Sequence, residues 1–259
     1  MSDETQAAPI LTERRDNVLL ITLNRPQSRN AVNEALAHAM AAALDELDGS
    51  DDLAVGIITG ADGFFCPGMD LKAFVAGERP WHPVRGFAGI VQQPADKPLI
   101  AAIEGFAVAG GLEIALACDM IVAAEGAKIG IPEVKRSLVA AGGGLRQLPR
   151  KLPLNIAMEW ALTGDLVPAE RGYELGLINR ITAPGAALDG ALELAAAVAA
   201  NGPLGLRATK EITLAQFGWS DEEFWPRQDA IWQPVFASED AVEGATAFAE
   251  KRPPVWRGR

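Results

Sequence analysis

The chain has 259 residues, 49% of them hydrophobic, so it holds enough apolar material for a full core without disulfide or metal staples. Its formal net charge of −11 repels nucleic acid and obliges any anionic ligand to find a local basic pocket. Two cysteines, Cys66 and Cys118, and two histidines, His38 and His82, are too few for a secreted disulfide framework or a zinc site of ordinary spacing.

In chain order, the acidic start Met1-Ser2-Asp3-Glu4-Thr5 lacks both the basic and the apolar region of a signal peptide, and no apolar run approaches a membrane span. The expectation is a soluble, cytoplasmic protein. Val18 to Leu23 reads as a strand ending in the turn Asn24-Arg25-Pro26, after which Val32, Leu36, Met40, Leu44 and Leu47 recur at helical spacing up to Gly49. Val55 to Thr59 with Gly60, and Leu99 to Ile103 with Gly105, repeat the pattern of strand then turn. The second leads to a helix over Leu112 to Ala117, and a third passage runs from Met120-Ile121-Val122-Ala123 to glycines 142 to 144. Strands alternating with helices predict an α/β fold, and their recurrence predicts a stacked spiral rather than two independent domains. Between Gly77 and Lys97 the mixture of Gly, Pro, Trp81, His82 and Phe87 predicts a mobile loop with a short helix. After Pro184 the pattern is helical over Leu188 to Ala200, Leu204 to Phe217, Asp221 to Phe236 and Ser238 to Lys251. Trp219, Phe224, Trp225, Trp232 and Phe236 are more aromatic surface than such a tail buries alone, which predicts packing against another subunit.

The chemistry concentrates in Ala107-Val108-Ala109-Gly110-Gly111-Leu112-Glu113 and Ile131-Pro132-Glu133. Glycines opening a helix leave bare N–H groups at its positive end, one turn from a carboxylate. The turn from Phe64 to Lys72 supplies a second donor, and two donors with two acid/base groups are what enolate chemistry on an acyl group requires. Taken singly, a Glu in a first helical turn is most often a surface residue, and a Gly most often serves a tight turn. Arg25, Arg29 and Lys72 are the cations near these loops; taken singly, each reads as solvated surface charge. No dinucleotide fingerprint, phosphate-binding loop or nucleophile elbow is present.

Five segments in register resemble the crotonase (enoyl-CoA hydratase/isomerase) family. They are Leu23 to Pro26 with Arg29 to Ala31; Ile58 to Lys72; Pro98 to Glu113; Cys118-Asp119 with Pro132-Glu133; and Leu162-Thr163-Gly164 with Ala169 to Leu177. The resemblance implies a spiral of ββα turns over residues 1–200 and a C-terminal helical trimerisation region over 201–259, assembled as a trimer or a dimer of trimers. It implies Glu113 as the water-activating base, Glu133 as the group exchanging the α-proton, and the backbone N–H groups of Met69 and Gly110 as oxyanion donors. It places a coenzyme A thioester on Arg25, Arg29, Cys66, Pro67, Met69, Asp70, Leu71 and Lys72, and the acyl pocket near Leu138, Val139 and Ala141. Coenzyme A belongs to the substrate; no metal or redox cofactor, nucleic acid or membrane partner is implied. The activity implied is hydration of an enoyl-CoA, with double-bond isomerisation, a carnitinyl-CoA type of dehydration, or a non-enzymatic RNA-binding role as alternatives. The family's usual Pro-Gly-Ala-Gly-Gly is replaced by Ala140-Ala141-Gly142-Gly143-Gly144, which puts the pocket floor in question.

Overall fold

The computed structural model describes residues 7–259. A hairpin of β1 (Ile10–Arg15) and β2 (Val18–Leu23) leads into α1 (Glu34–Gly49), whose first turn is capped by the Asn33 side chain accepting from the Leu36 N–H at 3.1 Å. Then come β3 (Val55–Gly60), α2 (Leu71–Val75), a tight hairpin of β4 (Trp81–His82) and β5 (Gly86–Phe87), β6 (Leu99–Ile103), β7 (Phe106–Val108) and α3 (Gly110–Ala117). The middle of the chain supplies β8 (Met120–Ala124), β9 (Lys128–Gly130), α4 (Gly144–Lys151), α5 (Leu154–Thr163), β10 (Val167–Pro168), α6 (Ala169–Glu174) and β11 (Arg180–Thr182). Helices α7 (Ala187–Ala199), α8 (Pro203–Ala215), α9 (Asp221–Phe236) and α10 (Glu239–Glu250) complete it.

Among the described residues, six strands form one sheet in the order β1-β2-β3-β6-β8-β11, parallel except for the β1–β2 hairpin. A second, three-stranded sheet runs β10-β9-β7. The alternation is therefore a long strand in the first sheet, a short strand in the second, then a helix: β6, β7, α3, followed by β8, β9, α4. This is the spiral of ββα turns expected from the sequence.

Both faces of the sheet's central strands are covered, which is why β2, β3, β6 and β8 read as nearly unbroken apolar runs. Leu19, Ile21 and Leu23 point into the main core with α1 and α3, whereas Val18 and Leu20, one residue out of phase, pack with Val55, Ile57, Ile100 and Val122 under α7. Helix α7 presents Ala187, Ala191 and Ala195 at a spacing of four, a smooth face that lets it lie close on the sheet.

The segment before β6 departs from expectation. In place of a mobile loop with a short helix stands the β4–β5 hairpin, with Phe87, Ala88, Ile90 and Ala95 buried in the main core. Long-range polar contacts hold it. Arg85, itself buried, donates to Asp45 on α1 at 2.6 Å and to the Gln93 carbonyl at 2.7 Å, and the His82 Nδ1 accepts from the Val84 and Arg85 N–H groups. Helix α3 also starts two residues earlier than the sequence suggested, at Gly110.

Candidate active site

Helix α3 opens where three segments converge. A Cβ built on Gly111 would lie 2.0 Å from the Cys66 carbonyl oxygen, and one on Gly68 would lie 2.8 Å from the Gly110 nitrogen, so only glycine permits this approach. Gly68 also has φ +96°, a conformation that side chains disfavour. Between the glycine pairs, Ala109 takes φ 53°, ψ −129°, an uncommon geometry for a residue with a side chain, held by its N–H to the Gly130 carbonyl at 2.8 Å and by the Leu112 N–H on its own carbonyl.

The two expected donors are free to act. Val32 bridges the loop by donating to the Gly68 carbonyl and accepting from the Asp70 N–H, each at 2.8 Å, which turns the Met69 N–H to the other side. Gly110 is the first residue of α3 and has no helical partner. Among the described residues neither N–H donates to an acceptor, and both belong to backbone locked by the glycine contacts.

Glu113, one turn into α3, is only 4% exposed. Its Oε1 accepts the Gly144 N–H at the start of α4 at 2.9 Å, and a Cβ on Gly142 would lie 2.4 Å from its Oε2. The departure of residues 140–144 from the family pattern thus forms the seat of this carboxylate. Burial pushes the Glu113 carboxyl up to about 7; the Glu133 charge adds to the rise, and the Gly144 N–H opposes it. Glu133 stands in the 3₁₀ turn Pro132–Arg136 after β9. Burial raises its carboxyl as well, and its Oε2 is buried with no hydrogen-bond partner. A carboxyl oxygen left in that state is costly unless a ligand or a proton uses it.

The remaining expected residues divide. Arg25 is committed within the protein: its guanidinium donates to Asp70 at 3.1 Å and to the Ala31 carbonyl, joining the loop after β2 to the loop before α2 instead of offering a free charge. Asp70 also caps α2 by accepting from the Lys72 and Ala73 N–H groups. Cys66 lies inward, its thiol fully buried and pushed up to about 12 by burial, its N–H and carbonyl bonded to Phe106 and Val108. That leaves Pro67, Met69, Leu71 and Lys72, with Arg29, on the accessible side of the loops. Leu138 and Val139 are exposed on the segment after Glu133, and Ala141 is exposed beside them. His38 is exposed and His82 half-buried, their rings 5.3 Å apart and outside the site.

Sequence reasoning missed Phe87, whose ring atoms would stand 2.5 Å from a Cβ on Gly110 and 3.2 Å from one on Gly142. Its only sequence signal was an apolar aromatic beside Gly86. A cavity of about 1030 Å³ lies apart from the carboxylates, between the far ends of α3 and α4 and the helical tail, lined by Leu116, Gln147, Arg150, Lys210, Phe217 and Trp256 among others.

A family model described as enoyl-CoA hydratase/isomerase matches residues 13–259. The chain belongs to that family. A crystal structure of enoyl-CoA hydratase from Mycobacterium tuberculosis is 54% identical and superimposes with a TM-score of 0.96, covering 97% of this chain and 100% of that one. The enoyl-CoA hydratase EchA19 of the same organism is 42% identical over 96% of each chain. A carnitinyl-CoA hydratase from Mycobacterium avium is 42% identical with a TM-score of 0.79, over 98% of this chain and 100% of that one. The enoyl-CoA hydratase/isomerase members of this similarity share the α/β architecture described above, so fold and family agree.

Proposed function

We propose that the protein is an enoyl-CoA hydratase, adding water across a trans-2-enoyl-CoA to give a 3-hydroxyacyl-CoA, and removing it in reverse. The observation that carries the reading is the buried Glu113 carboxyl, whose proton affinity the Glu133 charge raises, and the partly buried Glu133 with its unpartnered Oε2, beside two unengaged N–H groups at Met69 and Gly110. In hydration, Glu113 takes a proton from water as its oxygen bonds to the β-carbon. The α-carbon receives a proton from Glu133, and the double bond between them is lost. The electrons that move toward the thioester oxygen meet the Met69 and Gly110 N–H groups, each worth about 3 kcal/mol at the transition state.

Burial holds the Glu113 proton up to about 7, so a protonated Glu113 beside an ionised Glu133 is one tautomer open to the site. That tautomer suits dehydration: ionised Glu133 removes the α-proton while Glu113 protonates the departing hydroxyl. The resemblance to carnitinyl-CoA enzymes favours dehydration of a substituted 3-hydroxyacyl-CoA as the second reading. Coenzyme A arrives with the substrate, and the chemistry calls for no metal or redox cofactor, nucleic acid or membrane. No helix among the described residues is long and apolar enough to cross a membrane, and cytoplasmic residence with homotrimeric or hexameric assembly completes the proposal.

Loss of the conjugated thioester absorbance of crotonyl-CoA, followed in parallel with dehydration of carnitinyl-CoA, tests the reading. The parent should hydrate crotonyl-CoA with a kcat/KM that changes with pH through about 7, where Glu113 exchanges its proton. Glu113→Gln and Glu133→Gln should each lower the rate by ~10²–10⁴, and the second should abolish exchange of the α-proton with solvent. Near-parental turnover in either variant overturns the two-carboxylate assignment.

A further inference from the structure

We infer that the cavity beside the helical tail is a second binding site, built for the anion of a long-chain fatty acid. The inference goes beyond the hydratase reading and does not depend on it: none of Glu113, Glu133, Met69 and Gly110 lines the cavity of about 1030 Å³.

The lining combines exposed charge with sheltered hydrocarbon. Arg146 and Arg150 of α4 are exposed, Val198 of α7, Leu204 of α8 and Trp256 are half-buried, and Leu116 of α3 is buried. Trp256 is fixed as a wall, since its indole N–H donates to the Ala200 carbonyl at 2.9 Å. The Arg150 guanidinium carbon stands 5.0 Å from the centre of the Phe217 ring, so cation and apolar wall meet at one place. A cavity of this size accepts a small molecule, and its lining asks for one with an apolar body and a charged end.

The sign of that charge follows from what is already paired. Both acids that line the cavity are engaged: Asp119 accepts from Lys210 at 2.7 Å, and Asp240 accepts the Arg257 and Gly258 N–H groups at 2.7 and 2.8 Å. Three cations of the lining are not. Among the described residues the side chains of Arg146, Arg150 and Lys151 have neither an acidic partner nor a hydrogen-bond acceptor. Arg150 and Lys151, in the last turn of α4, suit the negative end of the helix. Arg146 does not, because it stands in the first turn at the positive end and four residues from Arg150, where like charges repel. An anionic head between the two guanidinium groups removes both penalties, and a carboxylate matches their forked donors. The apolar walls then take an unbranched tail out of water. The strongly exposed apolar side chains of the tail, Trp225, Phe236 and Phe248, are outside the lining, so the cavity is distinct from the surface they present.

The experiment is calorimetric titration of the intact protein with dodecanoate below its micelle-forming concentration, and with dodecyltrimethylammonium as the cation of equal tail length. Dodecanoate should bind at one per chain, at least about tenfold more tightly than the cation, as expected for a charge-assisted hydrogen bond. Gly205 lines the cavity, and a Cβ built there meets nothing within 4 Å, so Gly205→Phe fills the space without a clash and should abolish binding. The double variant Arg146→Gln with Arg150→Gln should weaken dodecanoate by about tenfold or more and leave the affinity for the alkyl cation no lower, with crotonyl-CoA turnover as in the parent. If Gly205→Phe does not fold, the double variant carries the test alone. No binding by the parent, equal affinity for the two head groups, or binding unchanged in the variants overturns the inference. Displacement of dodecanoate by butyryl-CoA overturns it as well, since the fatty acid would then lie in the catalytic site. Hexadecanoyl-CoA that binds at the cavity where dodecanoate does not would overturn the assignment to a free acid. Absent hydration with dodecanoate binding intact would overturn the hydratase reading alone.

Discussion

At the scale of single residues, the site trades stability for chemistry, and Glu113 shows the sign. Burial disfavours its ionised form, so its proton is held up to about 7 in the fold against an ordinary value of 4.5. A carboxyl raised in this way supports the fold fully below its unfolded value, and the support is lost as pH rises through the folded value. Glu113→Gln keeps the volume and the acceptor for the Gly144 N–H but never ionises. It should be nearly as stable as the parent in acid and more stable above neutrality, by up to roughly 3 kcal/mol. Urea unfolding on either side of neutrality checks this, and a variant less stable than the parent in alkali would contradict it. The same residues show what was legible in the sequence. Glu113 and Glu133 stood out because each follows a recognisable glycine or proline signal. Phe87 did not, and Gly142 stood out only as part of the altered pocket floor at 140–144, because their places rest on where distant backbone falls: Gly142 is the surface on which a carboxylate from another helix lies.

At the scale of elements, the central strands β2, β3, β6 and β8 were legible within a residue or two because burial on both faces leaves a nearly continuous apolar run, whereas the edge strands β1 and β11, mostly exposed or half-buried, carry no such run and were not read. The β4–β5 hairpin was not, since its fixity comes from Arg85 reaching α1 across forty residues of sequence, which no local pattern announces. A similar long-range tie governs the tail. Lys210 on α8 donates to Asp119 Oδ2 at 2.7 Å, and the same oxygen accepts the Leu99 N–H of β6 at 2.7 Å. Both side chains are largely buried, at 9% and 20% exposure. Lys210→Met strips the cation from a carboxylate that still holds the strand, which should cost about 3 kcal/mol of local stability at α8. Amide exchange should quicken through α8 while protection in β3 and β6 stays as in the parent. Equal protection in α8 would show that its packing alone holds it.

At the scale of the whole molecule, apolar surface remains uncovered on the single chain. Trp225 is 65% exposed, Phe236 74% and Phe248 87% on the tail, and Leu154, Met158 and Leu162 form an open stripe at a spacing of four along α5. Patches of this kind are where the contacts of the proposed trimer would lie. Light scattering should give a trimer or hexamer at micromolar concentration, and truncation after Pro203 should produce aggregation or lower-order species with reduced activity. A stable, fully active monomer would refute the assembly. The order of the large sheet has a consequence for how the chain reaches this state. Its strands lie side by side in the order of synthesis, so each docks on the edge left by its predecessor and none waits for a later one. The sheet can therefore grow vectorially as the chain leaves the ribosome, always at the edge away from β1, which adds one new edge at a time. Glu133 and the start of α4 emerge after β8, so the two carboxyls meet only when five of the six strands are already in place.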